Sequence, residues 1–184
     1  LNTSDALTGT LQKMIVENGS VTLNLDLNGL NGSNDLTTRP VALQFAAATN
    51  SFFPILVLNN QLRGPAPGSI ALVPVTGVNA PGYSALPAVL AASLKQLVLE
   101  KLPPDAAFDL AVRDARTGLT FFTVEGHEYH DDAIAKLLSI QGGRPLISEE
   151  LARVLGRTRG AGGDGAPTRV AGGQHAIAVS DVYR

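Results

Sequence analysis

From Val21 to Asn28, apolar and polar residues alternate without a break. Side chains on a strand point to opposite faces in turn, so Val21, Leu23, Leu25 and Leu27 share one face and Thr22, Asn24, Asp26 and Asn28 the other. The pattern predicts a half-buried strand with a solvated polar face. Asn18-Gly19 stands between Met14-Ile15-Val16 and this segment. Asn-Gly accepts the positive φ angles of a type I′ turn, so the spacing predicts a hairpin there. Against the other strands, 21–28 is expected to be peripheral.

The same two-residue period returns at Val41–Ala48, where Val41, Leu43 and Phe45 alternate with Ala42, Gln44 and Ala46. Ile55-Leu56-Val57-Leu58 has no polar face, which predicts a strand buried on both sides. Asn59–Ser69 reads as a loop, and Ile70–Val75 as a strand that ends at Pro74 because proline donates no ladder hydrogen bond. Phe108–Arg113 alternates again. Asp114-Ala115-Arg116-Thr117-Gly118 supplies a turn, and Leu119–Glu125 returns as a strand. Adjacent Phe121 and Phe122 face opposite ways, so that strand is expected to be central. A further strand is predicted at Lys136–Gln141, ended by Gly142-Gly143, and a last one at Ala176–Val182 that needs a partner within the fold.

Two segments change period. Leu86, Val89, Leu90, Leu94, Leu97, Val98 and Leu102 recur at three- and four-residue spacing, predicting an amphipathic helix over 84–102 with Ser84 as N-cap and Pro103-Pro104 as the stop. Ser148-Glu149-Glu150 opens a short helix over 148–155, with acids in the first turn and Gly156 after it. A short helix is also expected within Asp5–Lys13. Residues 158–173 form a Gly-rich loop or linker. The organisation expected is therefore a β-rich domain over 1–157, the Gly-rich loop, and a C-terminal strand over 174–184 that belongs to the same domain.

Composition narrows the function classes. A chain of 184 residues with 45% hydrophobic content can build one sizeable core. A formal net charge of -2 offers no basic field for nucleic acid. The longest apolar stretch, Ala85–Leu99, contains Lys95 and Gln96 and falls short of the ~20 residues a bilayer span needs. With no Cys, disulfide scaffolds, thiolate metal sites and a Cys nucleophile are excluded. No Gly-x-Ser-x-Gly elbow occurs, and Gly160–Gly165 lacks the Gly-Lys-Ser/Thr ending of a phosphate loop.

The densest polar cluster is Glu125-Gly126-His127-Glu128-Tyr129-His130-Asp131-Asp132. Imidazole and carboxylate ligands suit Zn, Mn or Fe, and a metal-bound water is a nucleophile. His127, Glu128 and His130 are accordingly the candidate ligands of a divalent metal, with His175 as a further contributor if the last strand lies beside 119–125. Alternation works against the set, because it puts His127 and Tyr129 on one face and Glu128 and His130 on the other. The competing reading is a solvated strand end running into a turn, with no cofactor. Asn24, Asp26 and Asn28, on the polar face of the opening strand, are candidate binding residues.

Gly142-Gly143-Arg144-Pro145-Leu146-Ile147-Ser148-Glu149-Glu150-Leu151-Ala152-Arg153-Val154-Leu155-Gly156-Arg157 resembles a segment of uncharacterised exported bacterial proteins, in which a "GGRLLISEE-ALGR"-like stretch follows a β-rich region. Pro145 departs from that pattern. The resemblance implies export and a β-rich module, and carries over no activity or functional residue. An excess of Arg over Lys, ten to four, fits a GC-rich bacterial origin. A chain opening on Leu1 is expected to have lost a leader or to be a piece of a longer protein.

The expected fold is mostly β (α+β): an antiparallel sandwich or barrel-like sheet with one amphipathic helix over 84–102 and one short helix over 148–155. The expected function is that of an exported bacterial binding or structural module without catalytic activity. Its partners would be other domains of a longer chain or a surface ligand. The alternative is a metal-dependent hydrolase with a His/Glu site at 125–132.

Overall fold

The period-two segments pair with one another in chain order, and the last of them pairs back onto the first. The computed structural model describes residues 11–32, 37, 39–49, 51–59, 61–75, 82–132, 134–156 and 177–183. Its strands are β1 (Leu11–Asp26), β2 (Pro40–Ala47), β3 (Pro54–Leu58), β4 (Gln61–Pro65), β5 (Gly68–Pro74), β6 (Leu97–Lys101), β7 (Leu110–Asp114), β8 (Thr120–Glu125), β9 (Glu128–Asp132), β10 (Leu137–Ile147) and β11 (Ile177–Tyr183). The helices are α1 (Leu27–Leu30), α2 (Ala88–Ser93) and α3 (Glu149–Val154).

β1 pairs with β2, β2 with β5, and β5 through β6 and β7 to β8; β8 pairs with β10, β10 with β11, and β11 with β1. All these pairings are antiparallel, so β1, β2, β5, β6, β7, β8, β10 and β11 close a ring. Closure removes the sheet edges along this ring, and β4 and β9 are left paired on one side only among the described residues. β3 pairs with the first half of β1, and β4 with β3; β9 continues β8 along β10. The chain is thus an up-and-down barrel in which β2–β3, β4–β5 and β8–β9 are long strands, each broken once.

Register explains what lies inside. Val21, Leu23 and Leu25 stand opposite Phe45, Leu43 and Val41. Leu99 stands opposite Val112, and Val112 opposite Phe122. All of these are buried, while the alternate residues Ala42, Gln44, Val98, Glu100 and Arg113 are exposed or half-buried. This in-and-out pattern is the inverse of a membrane-spanning barrel, which turns its apolar residues to lipid. No helix among the described residues is long and apolar enough to cross a membrane. The outward-facing Phe121 is buried as well, because α3 packs on β8. Ser148 caps α3 by accepting from Leu151 N at 2.9 Å, and the Ser148 hydroxyl and the Glu150 carboxylate tie the helix to the backbone of Thr120.

The expectations for β8 as a central strand, for the 108–125 hairpin and for a partnered last strand agree with this topology. Five others need correction. Asn18-Gly19 is no hairpin turn: β1 runs straight through it, and its ladder with β11 slips between Val16 and Asn18. Met14 and Val16 face inward at even positions, Val21 and Leu23 at odd ones, so the irregularity at Glu17 resets the parity. The 21–28 strand ends at Asp26 and has neighbours on both edges, so it is not peripheral. The helix over 84–102 is limited to α2, flanked by two 3-10 turns, and Leu97–Lys101 is the strand β6. Leu97–Lys101 pairs with β5 on one side and β7 on the other and puts Leu97 and Leu99 into the core, so tertiary context overrides the spacing. Asn59–Ser69, read as a loop, contains β4. Strand β10 also continues past Gly142-Gly143 to Ile147, with a register shift there against β11.

α1, the 3-10 turn at Tyr83–Ala85 and α2 lie together beyond the end of the barrel where β1 finishes. Asn31 Nδ2 donates to Ala85 O at 2.9 Å, and Leu27, Leu30, Tyr83, Leu86, Leu90 and Leu94 join the same core as the barrel interior. The opposite end carries the polar residues that follow.

Candidate functional site

Along β6, Leu97 and Leu99 point into the barrel, and alternation sends Lys101 after them. A Lys on a buried face demands a counter-charge, because an unpaired ammonium loses its hydration. Only 11% of the Lys101 side chain is exposed, and its Nζ is ion-paired with Asp109. Asp109 stands at the far side of the 102–109 connection, whose ends are tied by Leu102 N donating to Asp109 O at 2.8 Å.

The other partners come from the bend between β8 and β9. Gly126 has φ +68°, a value glycine adopts without strain, and Gly142 across the ladder has φ +72°. The two glycines face each other closely: a Cβ on Gly142 would lie 3.4 Å from Gly126 O. The bend turns His127 inward, leaving 9% of its side chain exposed, with Nε2 2.7 Å from Asp109 Oδ2. Tyr129, opposite Ile140 on β10, packs against the core and donates its hydroxyl to the same Asp109 oxygen. The His127 and Tyr129 rings meet edge to face, centroids 5.2 Å apart. One carboxylate therefore holds together residues from β6, the 102–109 connection, the β8–β9 bend and β9.

Burial pushes the Asp109 carboxyl up, but hydrogen bonds from Lys101, Tyr129 and His127 and the Lys101 charge outweigh it, so the group is held below the usual carboxylate range. Burial, and then the bond to the Asp109 carboxylate and its negative charge, push the Tyr129 hydroxyl far above its ordinary value. Asp109 is therefore a fixed anion and Tyr129 a fixed donor. Neither exchanges a proton near neutrality. His127 Nδ1 is buried and has no hydrogen-bond partner among the described residues.

The structure parts the three candidate metal ligands. His127 turns inward to Asp109. Glu128 and His130 lie exposed, 77% and 54%, with His130 Nε2 3.5 Å from Glu128 Oε2. Among the described residues, no group of three or more His, Asp or Glu side chains is placed to hold a metal ion. His175 lies outside the described residues. Of the candidate binding residues, Asn24 is half-buried on β1. Asp26 is buried and caps α1, accepting from Asn28 N at 3.1 Å and Arg39 N at 3.0 Å. Asn28 sits in α1, its amide donating to Thr37 O. Asp26 and Asn28 thus form a strand-to-helix corner with its own internal bonds.

Lys101 and Asp109 were not legible as site residues. Lys101 carried a usable signal, an inward charge two residues after Leu99, but only to a reader who took 97–101 as a strand.

A second buried carboxylate, Asp114, is a structural joint. It accepts from Ser93 Oγ at 2.6 Å, Gln96 Nε2 at 2.7 Å, Arg116 N at 2.7 Å and Thr117 N at 3.0 Å, fastening α2 and the turn before β6 to the β7–β8 turn. Burial raises this carboxyl, and those bonds together lower it well below the carboxylate range.

Compared with known proteins, the chain matches no family model, no curated protein and no solved structure.

Proposed function

We propose that this chain is a binding or structural module of an exported bacterial protein. Its partners are other domains of a longer chain or a ligand at the cell surface. The observation that carries the reading is the convergence of Lys101, His127 and Tyr129 on the Asp109 carboxylate. The groups best suited to acid–base work are engaged in fastening strands, which is the use a rigid scaffold makes of them. Export rests on the resemblance of residues 142–157 to exported bacterial proteins.

The second reading is a metal-dependent hydrolase at 125–132. The observation in its favour is the buried, unpartnered Nδ1 of His127, since buried polar atoms are ordinarily satisfied and this one is a free acceptor or ligand atom. The two readings separate in one set of measurements on protein purified without chelators. The module reading expects no stoichiometric metal by elemental analysis, no change in Tm on adding Zn or Mn, and no turnover of ester or phosphoester substrates. Bound metal, or turnover that His127→Ala removes, would overturn it.

A further inference from the structure

Ile55-Leu56-Val57-Leu58 has no polar face, and the expectation is burial on both sides. The structure buries one side only. Ile55 and Val57 turn inward and are buried, while Leu56 and Leu58 face outward and are half-buried. β3 belongs to a three-stranded wing with Leu11–Ile15 of β1 and with β4, beyond the part of β1 that pairs with β11 and β2. Residues opposite one another on paired strands share a face. Leu58 therefore stands beside Leu11, and Leu56 beside Lys13, with Ile15 next along β1. Phe52, just before β3, shares this face, since Lys13 Nζ lies over its ring, 5.1 Å from the centroid. Leu11, Phe52 and Ile15 are 61%, 52% and 44% exposed. Apolar side chains scattered singly over a surface are ordinary, but Leu11, Ile15, Phe52, Leu56 and Leu58 lie together, and such a patch marks a contact surface.

The charge on this face selects its occupant. Lys13 stands among the apolar residues, and Arg63 is exposed at the register shift between β3 and β4. Neither cation is ion-paired among the described residues. The nearest carboxylate along β1 is Glu17, past the end of the wing. A second copy of this chain would bring the same two cations and no carboxylate to the contact, so charge disfavours self-pairing and favours an anionic partner. Apart from Gln61 at the rim, the outer face offers no hydrogen-bonding side chain besides the two cations. It specifies charge and apolarity but no partner geometry. Protein partners are ordinarily held by directional polar contacts around their anchors. A bilayer interface needs only projecting apolar side chains and cations whose stems lie along it while their heads reach the lipid headgroups. We infer that the outer face of the β1–β3–β4 wing seats on an anionic phospholipid surface, with Leu11, Ile15 and Phe52 entering the interface and Lys13 and Arg63 on the headgroups. None of these residues belongs to the 125–132 cluster or to the partners of Asp109, so the inference is independent of the choice between module and hydrolase.

The test spins the full-length chain with sucrose-loaded vesicles, either of phosphatidylcholine alone or of phosphatidylcholine and phosphatidylglycerol in equal parts. The chain is expected to sediment with the mixed vesicles and not with phosphatidylcholine alone, and raised salt should release it. Phe52→Ala should lower the partition coefficient about tenfold and Lys13→Gln roughly fivefold, both with Tm retained. Val154→Ala removes a side chain 54% exposed on α3, away from the wing, and should leave binding unchanged. No sedimentation with the mixed vesicles, or sedimentation that either folded wing variant leaves unchanged, overturns the inference. So does a solution dimer that Phe52→Ala dissolves, which gives the face to a second copy. Retention on immobilised polyglutamate without retention on the vesicles gives it to an acidic protein and overturns the inference too.

Discussion

Removing the Asp109 carboxylate is expected to destabilise the barrel by about 2–3 kcal/mol at neutral pH. Asp109→Ala deprives Lys101, His127 and Tyr129 of their shared acceptor and leaves Lys101 only a 3.3 Å contact with Leu102 O. Breaking a buried ion pair by removing one partner costs about 3–5 kcal/mol, and single charge-assisted bonds contribute roughly 1.5–3 kcal/mol each. The three bonds share one carboxylate and do not add. The Asp109 side chain is also 35% exposed, so water screens part of the interaction and the value is reduced to about 2–3 kcal/mol. With a urea m-value of roughly 2 kcal/mol/M, the midpoint should fall by about 1–1.5 M. The dependence on pH carries the sign. The folded-state pKa lies below the ordinary carboxylate range, so the unfolded chain takes up the proton first as pH falls. The stabilisation is complete above the unfolded pKa and fades as pH drops through the folded one. The gap between wild type and Asp109→Ala should therefore be constant from about pH 5.5 to 7 and narrow below about pH 4. A gap under about 0.5 kcal/mol at pH 7, the usual size of surface substitutions, or one that fails to narrow in acid, would refute the role given to this carboxylate.

Asp114→Ala should be more damaging than Asp109→Ala, about 3–5 kcal/mol by urea unfolding, because Asp114 is 1% exposed and accepts four hydrogen bonds. Gly68→Ala should leave little folded protein by circular dichroism: its Cβ would fall 2.3 Å from Phe52 O and 2.7 Å from Pro54 Cδ, so backbone must move. Phe122→Ala, in the barrel interior, should lower stability by about 3–5 kcal/mol, while Phe52→Ala, 52% exposed with Lys13 over its ring, should change it by under about 1 kcal/mol. Equal effects of the two would contradict the assignment of inward and outward faces.

How much was legible depended on whether one local signal stood alone. The 108–125 hairpin was readable because alternation, the Asp114–Gly118 turn and adjacent phenylalanines all agreed; Gly118 has φ +77°, and Phe121 and Phe122 are both fully buried. The 84–102 segment was misread because Leu94, Leu97, Val98 and Leu102 suit a helix while Leu97, Leu99 and Lys101 equally suit a strand, and only pairing with β5 and β7 decides. Asn18-Gly19 misled because its usual service as a turn hid a second one, tolerance of a ladder irregularity within a continuous strand. The polar site was half visible. His127 and Tyr129 stood in a conspicuous cluster, but their partners, Lys101 and Asp109, lie across the fold, where no spacing rule reaches them.

Closing the ring through β11 has a consequence for how the chain acquires its structure. The residues that seal the barrel, Val16–Leu23 and Ile177–Tyr183, lie at opposite ends of the sequence. Contacts of such separation form late, because the entropy of closing the intervening loop must be met before they contribute. During synthesis β1 through β10 emerge before β11, as a curled sheet with two open edges, and remain so until Ile177–Tyr183 leave the ribosome. For that interval the chain is most exposed to sticking to its neighbours. Its folding yield should thus be governed by the arrival time of its last seven described residues, more than by the strength of the core they enclose.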